Sequence, residues 1–414
     1  MGPAPPRLLD AFVQLVTGRS AASDARRIVV TRALRGFADG LVSVLLAGHL
    51  TRLGFSSVEV GAIVTGTLLG SATLTVVLGL VAHRLALRRV LLGASLVMVA
   101  TGVAFAGLTT FWPLLVAAVL GTLNPSTGDV SVFLPVEQAV LADATDGHER
   151  TRLFAWYNTA GNLAGALGLL ASGLPAVVAH LTGLDVALAE RSGFVVYALI
   201  GVVLATIYLR LAAATAPQGG GVRAPLARSR RIVIRLAVLF GLDSFGGGFA
   251  VQTLLVLWLY KRFALSMELM ASVFFVAGLA SALSQLVSPW LANRIGLVRT
   301  MVYTHLPANG FLIAAGIAPS APLAVACLLL RASLSQMDVP ARQAYVMAVV
   351  PPEERAAAAS VTNVPRSLMT ALPPLFTGLM LEHSTFGWPL VCGGVLKIAY
   401  DLLLLAGFRK HAAA

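Results

Sequence analysis

Eleven ionisable side chains stand inside long apolar runs of this sequence: Arg35, Asp39, Asp129, Glu137, Asp243, Arg331, Asp338, Arg342, Arg366, Lys397 and Asp401. A charge in such a setting costs at least ~2.5–3.5 kcal/mol if it meets lipid, so these groups must face one another or water. A carboxyl removed from water has its neutral form favoured, which suits a group that binds and releases a proton. A buried arginine suits an anionic group. Asp39 lies 12 residues past Arg27 and Asp243 lies 12 past Arg231. Twelve residues of helix rise ~18 Å, which places both acids near the middle of a membrane-spanning segment. Arg35 and Asp39 share a helix face four residues apart, as do Lys397 and Asp401, and the latter two are expected to neutralise each other. No nucleophile–base pair, Gly-x-x-x-x-Gly-Lys loop or metal-ligand spacing occurs, and the seven histidines fall into no ligand pattern. The expectation is therefore a protein that is not an enzyme, needs no cofactor or metal, and is not driven directly by ATP.

The elements that position these groups are apolar helices. The chain has 414 residues, 57% hydrophobic and 12% charged, with a mean hydropathy of +0.85. A soluble chain carries about 25% charged residues, so the surface here must face lipid. The net charge of +12 comes in short clusters between apolar runs, a loop pattern rather than a nucleic-acid surface. Cys327 and Cys392 sit inside apolar runs and read as buried thiols. From residue 28 onward the runs divide into twelve spans, near 28–50, 57–82, 90–108, 113–141, 152–178, 193–211, 232–259, 267–291, 300–317, 322–347, 356–381 and 387–407, each near the ~20 residues a bilayer requires. Residues 1–27 are expected to form a segment on the membrane surface, not a cleaved signal. Residues 212–231, with Gly219, Gly220, Gly221, Pro217 and Pro225 among arginines, read as a basic linker. That divides the chain into 28–211 and 232–407, with a tail at 408–414. With both termini cytoplasmic, the cytoplasmic segments hold 19 basic residues against four on the other side, which sets the orientation by the positive-inside rule.

Between the second and third spans stands Gly79-Leu-Val-Ala-His-Arg-Leu-Ala-Leu-Arg-Arg89, and 210 residues later Pro289-Trp-Leu-Ala-Asn-Arg-Ile-Gly-Leu-Val-Arg299. This resembles the signature loop of the major facilitator superfamily, in which Gly, Asp, Arg, Gly and two basic residues recur at fixed spacing. Gly79, Arg84, Arg88 and Arg89 match in the first copy, with His83 at the usual Asp and Ala86 at the second Gly. Asn293, Arg294, Gly296 and Arg299 match in the second. The halves agree elsewhere too: Asp39 with Asp243, Asp129 with Asp338, and Glu137-Gln138 with Arg342-Gln343. Internal repeats of this kind mark transporters built from two related bundles.

The resemblance implies an all-α membrane protein of twelve transmembrane helices in two pseudo-symmetric six-helix bundles, with spans 1, 4, 7 and 10 lining a central cavity. Eight of the eleven ionisable residues lie on those spans. The implied function is secondary transport of a small molecule by alternating access, coupled to protons through Asp39 or Asp243, with Arg35 and Arg331 in the cavity. Direction stays open. Gly161-Asn-Leu-Ala-Gly-Ala-Leu-Gly168 resembles the antiporter glycine motif and points to efflux, although Ala166 replaces its proline; the same glycines would also serve helix packing. Symport uptake is the alternative, with Arg331 or Arg35 meeting an anionic group, and a lipid scramblase is the second. Arg84, Arg88, Arg89, Asp129, Asn293, Arg294, Arg299 and Asp338 are expected at a cytoplasmic gate, with Glu137 and Arg342 pairing across it when that side is closed and parting when it opens; the alternative is pairing within each bundle, Glu137 with Arg84 or Arg88 and Arg342 with Glu353 or Asp338. The expected partners are a small-molecule substrate, protons and the bilayer of a plasma or inner membrane; no nucleic acid is expected, and the chain is expected to be a monomer.

Overall fold

Apolar runs with few strand signals become helices in lipid because only a helix satisfies its own backbone hydrogen bonds there. The computed structural model describes residues 20–81, 86–125, 133–144, 147–211, 228–351 and 354–408, and every regular element in them is helical. The N-terminal half of the chain supplies α1 (Ser20–Arg52), α2 (Ser57–Val81), α3 (Leu87–Gly107), α4 (Phe111–Leu120), α5 (Phe133–Ala144), α6 (Gly147–Ala171), α7 (Leu174–Thr182) and α8 (Val186–Leu209). The C-terminal half supplies α9 (Arg230–Gly248), α10 (Gln252–Phe263), α11 (Met267–Ile295), α12 (Leu297–Ile317), α13 (Ala321–Ser335), α14 (Asp338–Ala348), α15 (Arg355–Ala371), α16 (Pro373–His383) and α17 (Trp388–Phe408). The expected surface segment at 1–27, the linker at 212–231 and the tail at 408–414 fall largely outside the described residues, as do His83, Arg84 and Asp129.

The molecule is an all-α, multi-spanning membrane protein. Eight stretches among the described residues are long and apolar enough to cross a membrane: 57–77, 87–107, 156–182, 186–209, 230–263, 267–295, 321–348 and 388–408. The expected spans that fall short of that measure are the polar or interrupted ones. The first, in α1, carries Arg26, Arg27, Arg32, Arg35 and Asp39. The ninth, α12, carries His305, Pro307 and Asn309 in its middle. The fourth is interrupted after Leu120, and the eleventh changes helix at Leu372 before Pro373 and Pro374. Polarity sits where the chain packs against itself, and the exposed surface carries Leu96, Val103, Leu167, Leu199, Leu286 and Leu402.

The closest helix pairs use glycine. On α1, a Cβ at Gly36 would overlap the carbonyl oxygen of Gly161, and one at Gly40 would overlap that of Gly165, both on α6. The glycines of 161–168 therefore let two backbones touch, which accounts for them by packing. That contact fixes α1, the bearer of Arg35 and Asp39, against α6, the bearer of Tyr157.

Candidate functional site

The two halves each bury a charged centre. In the N-terminal half, Glu137 of α5 is wholly buried and receives four donors. Arg35 of α1 forms a buried ion pair with it. Tyr157 of α6 donates to its Oε2 at 2.6 Å, Thr31 of α1 to its Oε1 at 2.8 Å, and Tyr208 of α8 to Oε1 as well. The Arg35 guanidinium also lies 4.6 Å from the Phe133 ring centroid. A carboxylate taking that many donors, one of them an arginine, is held in place. Asp39, one turn further along α1, is different. It is only partly buried; Arg32 and Arg35 are its charged neighbours, yet no hydrogen bond or ion pair reaches it among the described residues. The expected Arg35–Asp39 partnership is thus displaced by Glu137.

The C-terminal half gathers a larger centre. Asp243 of α9 is 4% exposed and lies 2.6 Å from Lys397 Nζ of α17. Arg342 of α14 is 3.5 Å from its other oxygen, and His305 Nε2 of α12 is 3.7 Å from Oδ1. Arg342 pairs more tightly with Asp338, at 2.6 Å on its own helix. Asp401 of α17, fully buried, accepts from Asn309 Nδ2 at 3.0 Å and meets His305 Nδ1 at 2.9 Å. Arg366 donates to Ser244 at 3.2 Å, and the Arg331 Nε is buried without a hydrogen-bond partner among the described residues.

Two expectations change here. Lys397 and Asp401 do not neutralise each other, because they turn to different neighbours, Asp243 and His305. Asp243 is not the counterpart of Asp39 in environment: it holds two cations in ion pairs where Asp39 holds none. Glu137 and Arg342, expected to meet across the gate only when that side is closed, are each buried and engaged within their own half in this structure. The residues the sequence did not single out are His305, Asn309, Thr31 and Tyr208. A signal existed for the first two, since His305 and Asn309 are polar and four apart within one apolar span.

The signature loops also differ. Gly79 lies in the last turn of α2 and Arg88 and Arg89 in the first turn of α3. Arg88 reaches the Leu211 carbonyl at 3.5 Å, and Arg27 reaches the Arg210 carbonyl at 2.6 Å. Both stand at the C-terminal end of α8, where cations are favoured. In the second copy, Gly296 turns the chain between α11 and α12 with φ of 87°. Asn293, Arg294 and Arg299 are exposed there, and Arg294 stacks on Trp290 at 4.3 Å.

Hydrogen bonds that cross between the halves gather away from these loops. Lys261 of α10 donates to Ser57 Oγ at 2.7 Å, and the Ser57 amide donates to Glu382 of α16 at 2.8 Å. Thr253 of α10 donates to the Ser43 carbonyl at 2.6 Å, and Asn162 of α6 to Gln285 of α11 at 3.4 Å. At the end that carries the signature loops, the described bonds of Arg27, Arg88 and Ser229 stay within one half.

Comparison with known proteins places this architecture. The uncharacterized membrane protein YJR124C of Saccharomyces cerevisiae (strain ATCC 204508 / S288c) is 25% identical over 425 residues, covering 94% of this chain and 95% of its own length. The multidrug efflux protein YfmO of Bacillus subtilis (strain 168) is 28% identical over 162 residues, 38% of this chain and 40% of that protein. Among solved structures, a bacterial homolog of the human lysosomal transporter Spinster superposes with a TM-score of 0.74 at 14% identity, covering 96% of this chain and 99% of that one. A D-xylose-proton symporter gives 0.73 at 14% identity, covering 91% and 96%. Those likenesses speak for the fold. The description Major Facilitator Superfamily matches residues 28–374, which is most of the chain and includes both signature loops and the N-terminal charged centre, and the chain belongs to that family.

Proposed function

We propose that this protein is a secondary active transporter of a small molecule, working by alternating access between two six-helix bundles, 28–211 and 232–407, and coupled to protons. It is no enzyme, as its membership of a family of secondary transporters supports. The observation that carries the coupling is Asp39, a partly buried acid without an ion-pair partner among the described residues, beside a neutral Arg35–Glu137 pair. Such a carboxyl can gain or lose a proton without dismantling a packed network. The cross-half bonds of Lys261, Ser57 and Glu382 support a state closed at that end. The basic-residue asymmetry makes the opposite end cytoplasmic, and the protein acts as a monomeric carrier of a plasma or inner membrane.

The direction we assign is efflux by proton antiport, which the likeness to the multidrug efflux protein supports. The glycines of 161–168 carry no weight in this, since packing explains them. Proteoliposomes enclosing a pH-sensitive dye test the reading with a panel of amphipathic cations and small organic acids. Solute-dependent proton movement in the antiport sense is expected for the wild type. In Asp39→Asn it should disappear while solute counterflow persists. Normal proton-driven transport by Asp39→Asn would overturn the assignment, and movement of both species in one direction would establish symport instead. Lipid movement without solute movement would establish a scramblase.

A further inference from the structure

We propose that His305 is a second proton-binding site of this protein, and that its protonation transfers Asp243 from Lys397 to the imidazole. Nδ1 lies 2.9 Å from Asp401 Oδ1 and 3.1 Å from Asn309 Nδ2. The Asn309 amide gives a hydrogen to the other Asp401 oxygen at 3.0 Å; an ionised carboxylate only accepts, so opposite it we assign the ring hydrogen to Nδ1. Nε2 then holds a lone pair. It faces Lys397 Nζ at 3.5 Å and Asp243 Oδ1 at 3.7 Å. The chain Asp401–His305–Lys397–Asp243 thus joins α17, α12 and α9 through one imidazole.

A proton added from solvent to the Nε2 lone pair turns that nitrogen into a donor. It can no longer accept from Lys397, whose ammonium it now repels, and its one free acceptor is the Asp243 carboxylate. The imidazolium and Lys397 therefore compete for Asp243 Oδ1. Lys397 lies along glycines of α9: a Cβ at Gly246 would stand 2.9 Å from its Cγ and 3.0 Å from the Gly393 carbonyl, and one at Gly247 3.4 Å from its Cε. That groove gives the butyl stem its place beside Asp243 and explains Gly246 and Gly247, whereas a Cβ at Gly248 would overlap the Thr370 carbonyl. Loss of the proton to solvent restores Lys397 to Asp243, and charge balances in each direction.

Arg366 of α15 reaches the same centre, donating to Ser244 beside Asp243. From α17 come Lys397, Asp401 and Tyr400, whose ring is 6.0 Å from the imidazole; from α9 comes Asp243. Asp338 and Arg342 stand on α14, Arg331 on α13, and α11 carries charge only near its ends, at Glu268 and Arg294. As a step in transport the switch rests on the proton-coupled reading above. As a proton site it is measured without solute or gradient.

The test uses the full chain in lipid nanodiscs with ring-nitrogen-labelled histidine, read by nuclear magnetic resonance. Of the seven histidines, His305 is assigned by the signals missing in His305→Gln. In the wild type, Nε2 is expected to pass from acceptor to donor as the pH falls through about 8 to 5, while Nδ1 keeps its hydrogen throughout. Asp401→Asn removes the anion that favours imidazolium, so the change should need about tenfold more acid. Lys397→Met removes the competing cation, so it should need about tenfold less. An imidazole unchanged over that range, an unprotonated Nδ1, or variants moving in the same sense would each overturn the proposal. If either variant does not fold, the wild-type titration and its Nδ1 state decide alone. Failure of Asp39→Asn to uncouple transport would leave this result untouched, and an inert His305 would leave the Asp39 reading untouched.

Discussion

The two charged centres occupy related places in a repeated chain, yet they are built on opposite plans. The N-terminal centre focuses several donors on one acid: Arg35, Tyr157, Tyr208 and Thr31 all point at Glu137, and Asp39 is left outside. The C-terminal centre spreads its charge: Asp243 is shared among Lys397, Arg342 and His305, and Asp401 is held by His305 and Asn309. The cause is local. Four residues before Asp39 stands Arg35, whereas four before Asp243 stands Leu239, and the position of Glu137 is taken by Arg342. The second half therefore imports its cation from α17. A closed, satisfied network makes a rigid base, while a shared one can redistribute when a proton arrives.

That contrast breaks most visibly at Glu137. Glu137→Ala strands a buried arginine and removes the acceptor of three hydroxyls, and is expected to cost about 3–5 kcal/mol of stability, measured by thermal unfolding in detergent. Lys397→Ala should cost less, about 1–3 kcal/mol, because Asp243 keeps Arg342 and His305; an equal or larger loss would mean that the C-terminal centre is the rigid one. Gly40→Leu should cost a comparable amount, about 1–3 kcal/mol by overpacking, and should also shift the conformational balance read by spin-label distances between α1 and α6. The double swap Glu137→Arg with Arg342→Glu should recover nothing over the single variants in unfolding or transport, since each residue is engaged in its own half; recovery would establish a cross-half pair in another state of the cycle. The smallest effect is expected at Asp39→Asn, within about 0.5 kcal/mol of wild type, while proton-driven transport by that variant is expected to stop.

The signature loops sharpen the same asymmetry. Arg88 meets the carbonyl end of α8, whereas Arg294 and Arg299 are exposed. Arg88→Ala should therefore slow turnover without altering which solutes are carried, and Arg299→Ala should change turnover less. A changed solute profile in Arg88→Ala would show that the loop contributes to the site itself.

Composition and hydropathy determined the class of this protein, because too few polar residues exist to coat a soluble globule of 414 residues. The repeated loops determined its family, and the cost of charge in lipid picked out Arg35, Glu137, Asp243, Asp338, Arg342, Lys397 and Asp401 as groups that must meet one another. Which of them meet was decided by tertiary structure. Helical spacing pairs Lys397 with Asp401 and Arg35 with Asp39, but a four-residue neighbour on an exposed face contributes only ~0.2–0.5 kcal/mol, less than a buried, multiply hydrogen-bonded partner on another helix provides. Glycine contacts between α1 and α6 bring Tyr157 to Glu137, and the packing of α12 against α17 brings His305 to Asp401. Those approaches join residues 20 and 96 positions apart in the sequence, a distance over which helical periodicity carries no information.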